Sequence, residues 1–353
     1  MAAHVLAWVG FVAVVLGLLA IDLGVFNRRA HEISMREAAR WSGITVVLAA
    51  VFAFLIWKHD LPTDIVGGPR HALEFITGYL IELALSVDNI FVFVLIFNYF
   101  AVPEKYQHRV LFWGVLGALV FRGTMIGAGA VLIRRFEWII YVFGAFLVFT
   151  GIRMGTQKEV EIEPEANPVL KLIRRFLPVS GDYSGKHFFC RETWEDGKAR
   201  WVATPLFVVL VLVETTDLIF AVDSIPAIFA VTTNPFLVFT SNVFAILCLR
   251  SLYFLLASVI DRFQYLKLGL AIVLVFIGAK MLATAVGVHI HTLVSLLVVA
   301  AVLLTSVVVS LLRPVKHDED EPGDDQSSPP GPHPATLPPP PGPDEAKRRV
   351  MGG

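Results

Sequence analysis

Apolar residues fill the chain in long unbroken blocks, and most of the charge falls in the joints between them. No polar face recurs inside the blocks at helical or strand spacing, as it would around a soluble core. Repeated apolar runs of about 18 residues or more read as membrane spans. Nine spans are predicted, over residues 4–25, 41–57, 73–97, 110–133, 138–152, 206–231, 236–257, 266–283 and 292–312. The fifth is short for a bilayer and is expected to be extended or tilted. No basic stretch precedes the first block and Asp22 interrupts its far end, so it is read as a retained span and not a cleaved signal peptide.

Charge placement predicts the orientation. With the N-terminus outside, 22 of the 29 Lys and Arg residues fall in segments that face the cytoplasm and only Lys58, Arg70, Arg134 and Arg135 in segments that face out. That is the positive-inside pattern, with a cytoplasmic C-terminus. In the one large connection, 153–202, residues 169–177 place Leu170, Ile173 and Phe176 on one helical face and Lys171, Arg174 and Arg175 on another. They suit a short helix on the inner leaflet. Glu195-Asp196-Gly197-Lys198, between Trp194 and Trp201, reads as a hairpin turn. Beyond Arg313 an acidic run and a proline run form a tail that cannot bury apolar surface and is expected to be disordered and solubilising.

Composition supports the membrane reading. Hydrophobic residues make up 56% of the 353 and charged residues 17%, against roughly 25% charged in soluble domains. The net charge of −1 decides nothing, because the distribution matters and the sum does not. Two cysteines, Cys190 and Cys248, exclude a disulfide framework or a thiolate metal site.

A repeat lies in the middle of the chain. Arg135-Phe136 through Leu147-Val148-Phe149, Gly151 and Arg153-Met154 falls without gaps, at a shift of 127 residues, on Arg262-Phe263 through Leu274-Val275-Phe276, Gly278 and Lys280-Met281. Upstream, Arg122 corresponds to Arg250, and Glu82 through Asp88-Asn89 to Asp217 through Asp223-Ser224. Each copy holds three spans, 3–5 and 6–8, so the second enters the membrane from the opposite side. Inverted repeats are how many secondary transporters build a midplane site. The predicted fold is thus all-α, a polytopic membrane helix bundle of about nine transmembrane helices with a three-helix inverted repeat. Its regions are a two-span start (1–72), the first repeat (73–155), a cytoplasmic loop (156–203), the second repeat (204–284), a final span (285–315) and the tail (316–353).

The repeats also carry the candidate chemistry. One charge at the middle of a membrane helix costs roughly 2.5–3.5 kcal/mol on the insertion scale, yet Glu214, Asp217 and Asp223 share one span. Residues seven apart on a helix nearly coincide in direction, so Glu82 shares a face with Asn89, and Asp217 with Ser224. Asp88 and Asp223 sit to one side, Glu214 lies one turn before Asp217, and Ser86 is a further oxygen donor. Pro226 deprives the carbonyl of Val222 of its usual partner, which makes it a possible additional ligand. An all-oxygen set suits a hard divalent ion such as Mn²⁺, Mg²⁺ or Ca²⁺. Arg122 and Arg250 are expected to pair with some of these acids and to gate the site. Two other readings stay open, a buried charge network that holds helices together and a proton relay through the same carboxylates. Asp22 either joins the site or marks a helix end. His289 and His291 are weak candidates for metal capture, Lys280 is expected to snorkel, and Cys248 to pack.

These motifs resemble the TerC/Alx family of integral membrane proteins. The resemblance covers about residues 5–312 and rests on Asp22-Leu-Gly-Val-Phe-Asn, Ala30 to Glu37, Glu82 to Asn89, Thr204 to Phe229 and Ser241 to Phe254. It implies a multi-pass protein of the bacterial cytoplasmic membrane, linked to Mn²⁺ export, to metal supply for exported enzymes and to tellurite resistance. The family's acidic positions carry over as Glu82, Asp88, Glu214, Asp217 and Asp223, with Asn89 and Ser224 as neutral partners. The function expected first is proton-coupled export of a divalent cation, Mn²⁺ above others, with no permanently bound cofactor. No ATP-binding motif is present, nor a nucleophile–base pair or HExxH-type motif of an enzyme. The alternative is a non-transporting scaffold of a tellurite-resistance or exoenzyme-metallation complex. The partners expected are the bilayer, the metal ion and protons, with partner proteins open and no nucleic acid.

Overall fold

Each predicted apolar block becomes one helix: α1 (Ala2–Phe26), α2 (Met35–Lys58), α3 (Pro69–Tyr99), α4 (Glu104–Arg135), α5 (Ile139–Thr156), α6 (Pro205–Phe229), α7 (Pro235–Leu256), α8 (Gln264–Ala285) and α9 (Thr292–Leu312). The structure is a computed structural model that describes residues 2–26, 34–58, 66–136, 138–156, 170, 177–193, 199–257, 264–285, 287–288 and 290–312. The proposed inner-leaflet helix, apart from Leu170 and Leu177, and the tail beyond Leu312 lie outside the described residues. Helices α2 to α9 are long and apolar enough to cross a membrane, and α1 adds the apolar stretch Ala7–Ala20.

Proline sets three helix starts. Pro69, Pro205 and Pro235 occupy the first turns of α3, α6 and α7, where the missing N–H has no helical partner to lose. At α7 the Asn234 side chain accepts the Phe236 N–H at 3.0 Å. Helix α6 continues past Pro226 and ends at Phe229. Helices α3 and α4 begin about four and six residues before their predicted spans and end about two residues after them.

The bundle is apolar outside and keeps its buried polar groups inside an otherwise apolar interior. Val47, Val120, Phe149 and Leu304 are at least 60% exposed on its surface, while Thr77, Glu82, Asn89, Arg122, Asp217 and Asn242 are buried inside it. Water would reverse that arrangement; a bilayer favours it.

The most extensive helix contact is between α5 and α8. A Cβ added at Gly278 would lie 2.6 Å from the Gly144 carbonyl oxygen, and one at Gly151 would lie 2.8 Å from that of Ala271. Residue 144 therefore faces 278 and 151 faces 271, so the helices are antiparallel. Shifting the second contact by the 127-residue repeat turns it into the first. The two copies are thus related by a pseudo-two-fold axis across the helices, as the inverted repeat predicts. Packing of α3 on α7 and of α4 on α6 repeats the relation, each being the other with the copies exchanged. Outside this core, α1 and α2 join through Trp8, Phe11 and Phe52 to Phe75, Phe236 and Phe244, and α9 lies against α8 and α3.

The predicted hairpin is present as antiparallel strands β1 (Phe189–Thr193) and β2 (Ala199–Ala203), its turn lying outside the described residues. Thr204 Oγ1 donates to the His187 carbonyl at 2.8 Å, tying the hairpin to the start of α6. Tyr183 Oη donates to the Phe100 carbonyl at 2.6 Å, and burial pushes its phenol up to about 12.

Candidate functional site

The two repeats meet around one arginine. Glu82 on α3 and Asp217 on α6 are equivalent positions, and Arg122 of α4 comes between them, 1% exposed. Its Nη1 pairs with Glu82 Oε1. Its other face holds Asp217 in a fork, Nε donating to Oδ2 at 3.1 Å and Nη2 to Oδ1 at 2.8 Å. A planar guanidinium suits this bidentate grip better than a point charge would. Asn89, seven residues beyond Glu82, donates to Asp217 Oδ1 at 3.2 Å. Ser224, seven beyond Asp217, takes a 3.4 Å bond from Arg122 Nη1. The predicted shared faces are therefore realised, and three helices are fastened at one point.

Two buried carboxylates share one cation here, so the centre keeps surplus negative charge and spare oxygen acceptors. Glu82 Oε2, Ser86 Oγ, Asn89 Oδ1 and Glu214 Oε2 are buried with no hydrogen-bond partner among the described residues. Orphaned buried acceptors are uncommon in folded proteins and mark places where a proton, ion or water is wanted. Their chemistry, oxygen throughout, fits a hard cation or a proton.

Two of the remaining acids stand apart from this lock, whereas Glu214 lies within range of the Asp217 charge. Asp88 and Asp223 are half-buried and lie within reach of each other's charge. Asp223 accepts from Thr150 Oγ1 at 3.4 Å and senses Arg153, both on α5, while Asp88 senses Lys267 on α8. Glu214 packs where Gly117 leaves room on α4; any Cβ at Gly117 would collide with its carboxylate. The five carboxylates are thus divided among neighbouring places, and no three His, Cys, Asp or Glu side chains among the described residues gather as a metal-ligating group.

Of the other candidates, Arg250 is buried on α7 at the position equivalent to Arg122. The side chain of Asp22 and all of His289 lie outside the described residues. His291 is exposed and its Nδ1 accepts the Leu293 N–H at 3.2 Å, helping to start α9. Lys280, expected to snorkel, is half-buried near the end of α8 and lines a cavity with Glu74. Cys248 is buried in α7, in keeping with a packing role. Thr150, Arg153, Lys267 and Glu74 were missed. Thr150 looks like any small residue in an apolar run, whereas Glu74 had a signal, lying two helical turns before Glu82 in the same block.

Comparison with known proteins places the chain among integral membrane proteins. Residues 67–318 match the family described as integral membrane protein TerC family. An uncharacterised membrane protein of Myxococcus xanthus is 52% identical over 306 residues, covering 87% of this chain and 92% of the relative. The Alx protein of Escherichia coli strain K12, whose name describes it as a membrane-bound redox modulator, is 48% identical over 321 residues, covering 90% of this chain and 98% of Alx. An uncharacterised membrane protein of Rickettsia felis is 38% identical over 308 residues, or 87% of this chain and 98% of its own. No solved structure matches the chain.

Proposed function

The chain belongs to the TerC family of integral membrane proteins, and from that premise we propose that it is a transporter that moves a divalent metal ion, Mn²⁺ above others, out of the cytoplasm. The observation that carries this reading is Arg122 held between Glu82 and Asp217 where the repeats meet, with unpartnered oxygens around it. In this reading the cation and the guanidinium compete for the same two carboxylates. Arg122 fills the site when it is empty of cargo, and withdraws when the ion binds. The host membrane is the bacterial cytoplasmic membrane, with the N-terminus outside and the C-terminus in the cytoplasm. The protein acts as a carrier and not an enzyme.

Export of a cation opposes the inside-negative potential by about 2.3 kcal/mol per charge per 100 mV, twice that for a divalent ion. The chain therefore needs coupling, and inward proton movement through the same acids supplies it. In this reading a carboxylate that gives up its metal on the outside takes a proton there and releases it inside as Arg122 reseats, so antiport needs no second set of groups. Asp88 and Asp223 serve as a neighbouring station.

A second reading, a non-transporting scaffold, draws on the division of the acids and on the grip of Arg122, which suit a structural lock. Mn²⁺ uptake into inverted membrane vesicles separates the two. The transporter reading expects uptake that requires an acid-inside proton gradient and falls at least tenfold in Asp217→Asn and Asp223→Asn proteins that insert normally. Equal, negligible uptake in wild type and variants, with several divalent ions tried, would leave the scaffold.

A further inference from the structure

Away from the Arg122 lock, a cavity of about 410 Å³ opens where the start of α3, the α6–α7 turn and the end of α8 meet. Its walls include Arg70, Glu74, Thr232, Thr233, Asn234 and Lys280. Glu74 is 5% exposed, a charge buried close to a helix end. Both its oxygens are engaged: Arg70 Nε donates to Oε1 at 3.0 Å and Thr232 Oγ1 to Oε2 at 2.8 Å. The Arg70 side chain is 83% exposed, so the group that covers this buried carboxylate is an arm lying mostly in solvent. Lys280, on the facing helix, is within range of the Glu74 charge.

What is fixed in this cavity and what can leave it differ in charge. The carboxylate of Glu74, the hydroxyl of Thr232 and the amide oxygen of Asn234 sit on short side chains. The ends of α6 and α8 bring negative dipole ends here and the starts of α3 and α7 positive ones, so the helix dipoles largely offset and Glu74 remains the fixed charge. Both cations ride on long flexible stems. If the Arg70 arm swings away, an acidic, oxygen-lined recess remains. Along α3, Glu74 lies about 12 Å from Glu82 at 1.5 Å per residue, on the way from the lock to this end of the bundle.

We propose that this cavity is a mouth of the transport path and that Glu74 is a divalent-cation site within it, covered by Arg70 as a tethered competitor. The inference rests on the transport reading above, but its test needs no turnover. A Thr233→Cys reporter, in a Cys190→Ser, Cys248→Ser background, places a thiol at the exposed edge of the cavity. Its labelling by a charged maleimide is followed in purified protein with increasing Mn²⁺. The expectation is that Mn²⁺ slows labelling at least fivefold, that Glu74→Gln abolishes this protection, and that Arg70→Ala lowers the half-protecting concentration several-fold. The gain on removing Arg70 is not expected of a purely structural ion pair, and a side chain so exposed is a safe substitution for folding. Labelling indifferent to Mn²⁺ in both the reporter protein and its Arg70→Ala derivative would overturn the site. So would protection by inorganic phosphate in place of Mn²⁺, which would make the cavity an anion site on Arg70 and Lys280. Vesicle transport without protection defeats this inference alone; protection without transport leaves Glu74 a cation site and overturns both the transport reading and the cavity's part in it.

Discussion

Replacing Arg122 with methionine leaves Glu82 and Asp217 close together in the bundle with no cation between them. Breaking a buried ion pair by removing one partner costs about 3–5 kcal/mol. An Arg122→Met protein should therefore unfold at a distinctly lower temperature in detergent. The transport reading adds that Mn²⁺ should restore part of this loss, because an ion bound only to the folded state stabilises it by mass action. A drop in melting temperature that Mn²⁺ leaves untouched would mark Arg122 as a structural clamp alone. At this scale the lock was legible because acids and arginines are so costly in an apolar run that each one stands out. Glu74 was not picked out, since an acid one residue inside a predicted span reads as the span's boundary, and only the fold shows it buried against Thr232.

Among the elements, α5 and α8 set the tightest demand. Backbone meets backbone at Gly144–Gly278 and Gly151–Ala271, leaving no volume for a side chain. Overpacking a core typically costs about 1–3 kcal/mol, and more where backbone must move. Gly151→Leu and Gly278→Leu should thus both lower thermal stability, and by similar amounts, because the pseudo-two-fold makes them the same substitution. A large loss in one with none in the other would contradict that symmetry. Hydrophobic patterning revealed nine helices, eight of them long and apolar enough to span, and self-comparison revealed the gapless 127-residue match, whose glycines turn out to be the helix contact itself. Helical angles alone could not show that the carboxylates divide into separate groups. Angles give the direction of a side chain around its own axis, whereas depth and helix crossing decide which acids meet. Asp217 meets Arg122, and Asp223 turns instead to Thr150 of α5.

For the whole molecule, the transport reading takes the exchange of packing partners between repeats as the way one site serves two sides. On that reading, a small shift of one copy against the other would break contacts on one face and make their equivalents on the opposite face. The Arg122 centre lies on three of the helices concerned, so releasing or seating the guanidinium is coupled to how the copies sit. Its central consequence is competition between Arg122 and the cargo. Calorimetric titration of Mn²⁺ into the purified protein in nanodiscs tests it most directly, comparing wild type, Arg122→Met and the Glu82→Gln, Asp217→Asn double variant. The account predicts binding at least tenfold tighter in Arg122→Met than in wild type, and its loss in the double variant. Equal affinity in wild type and Arg122→Met, or binding that survives loss of both carboxylates, would contradict it.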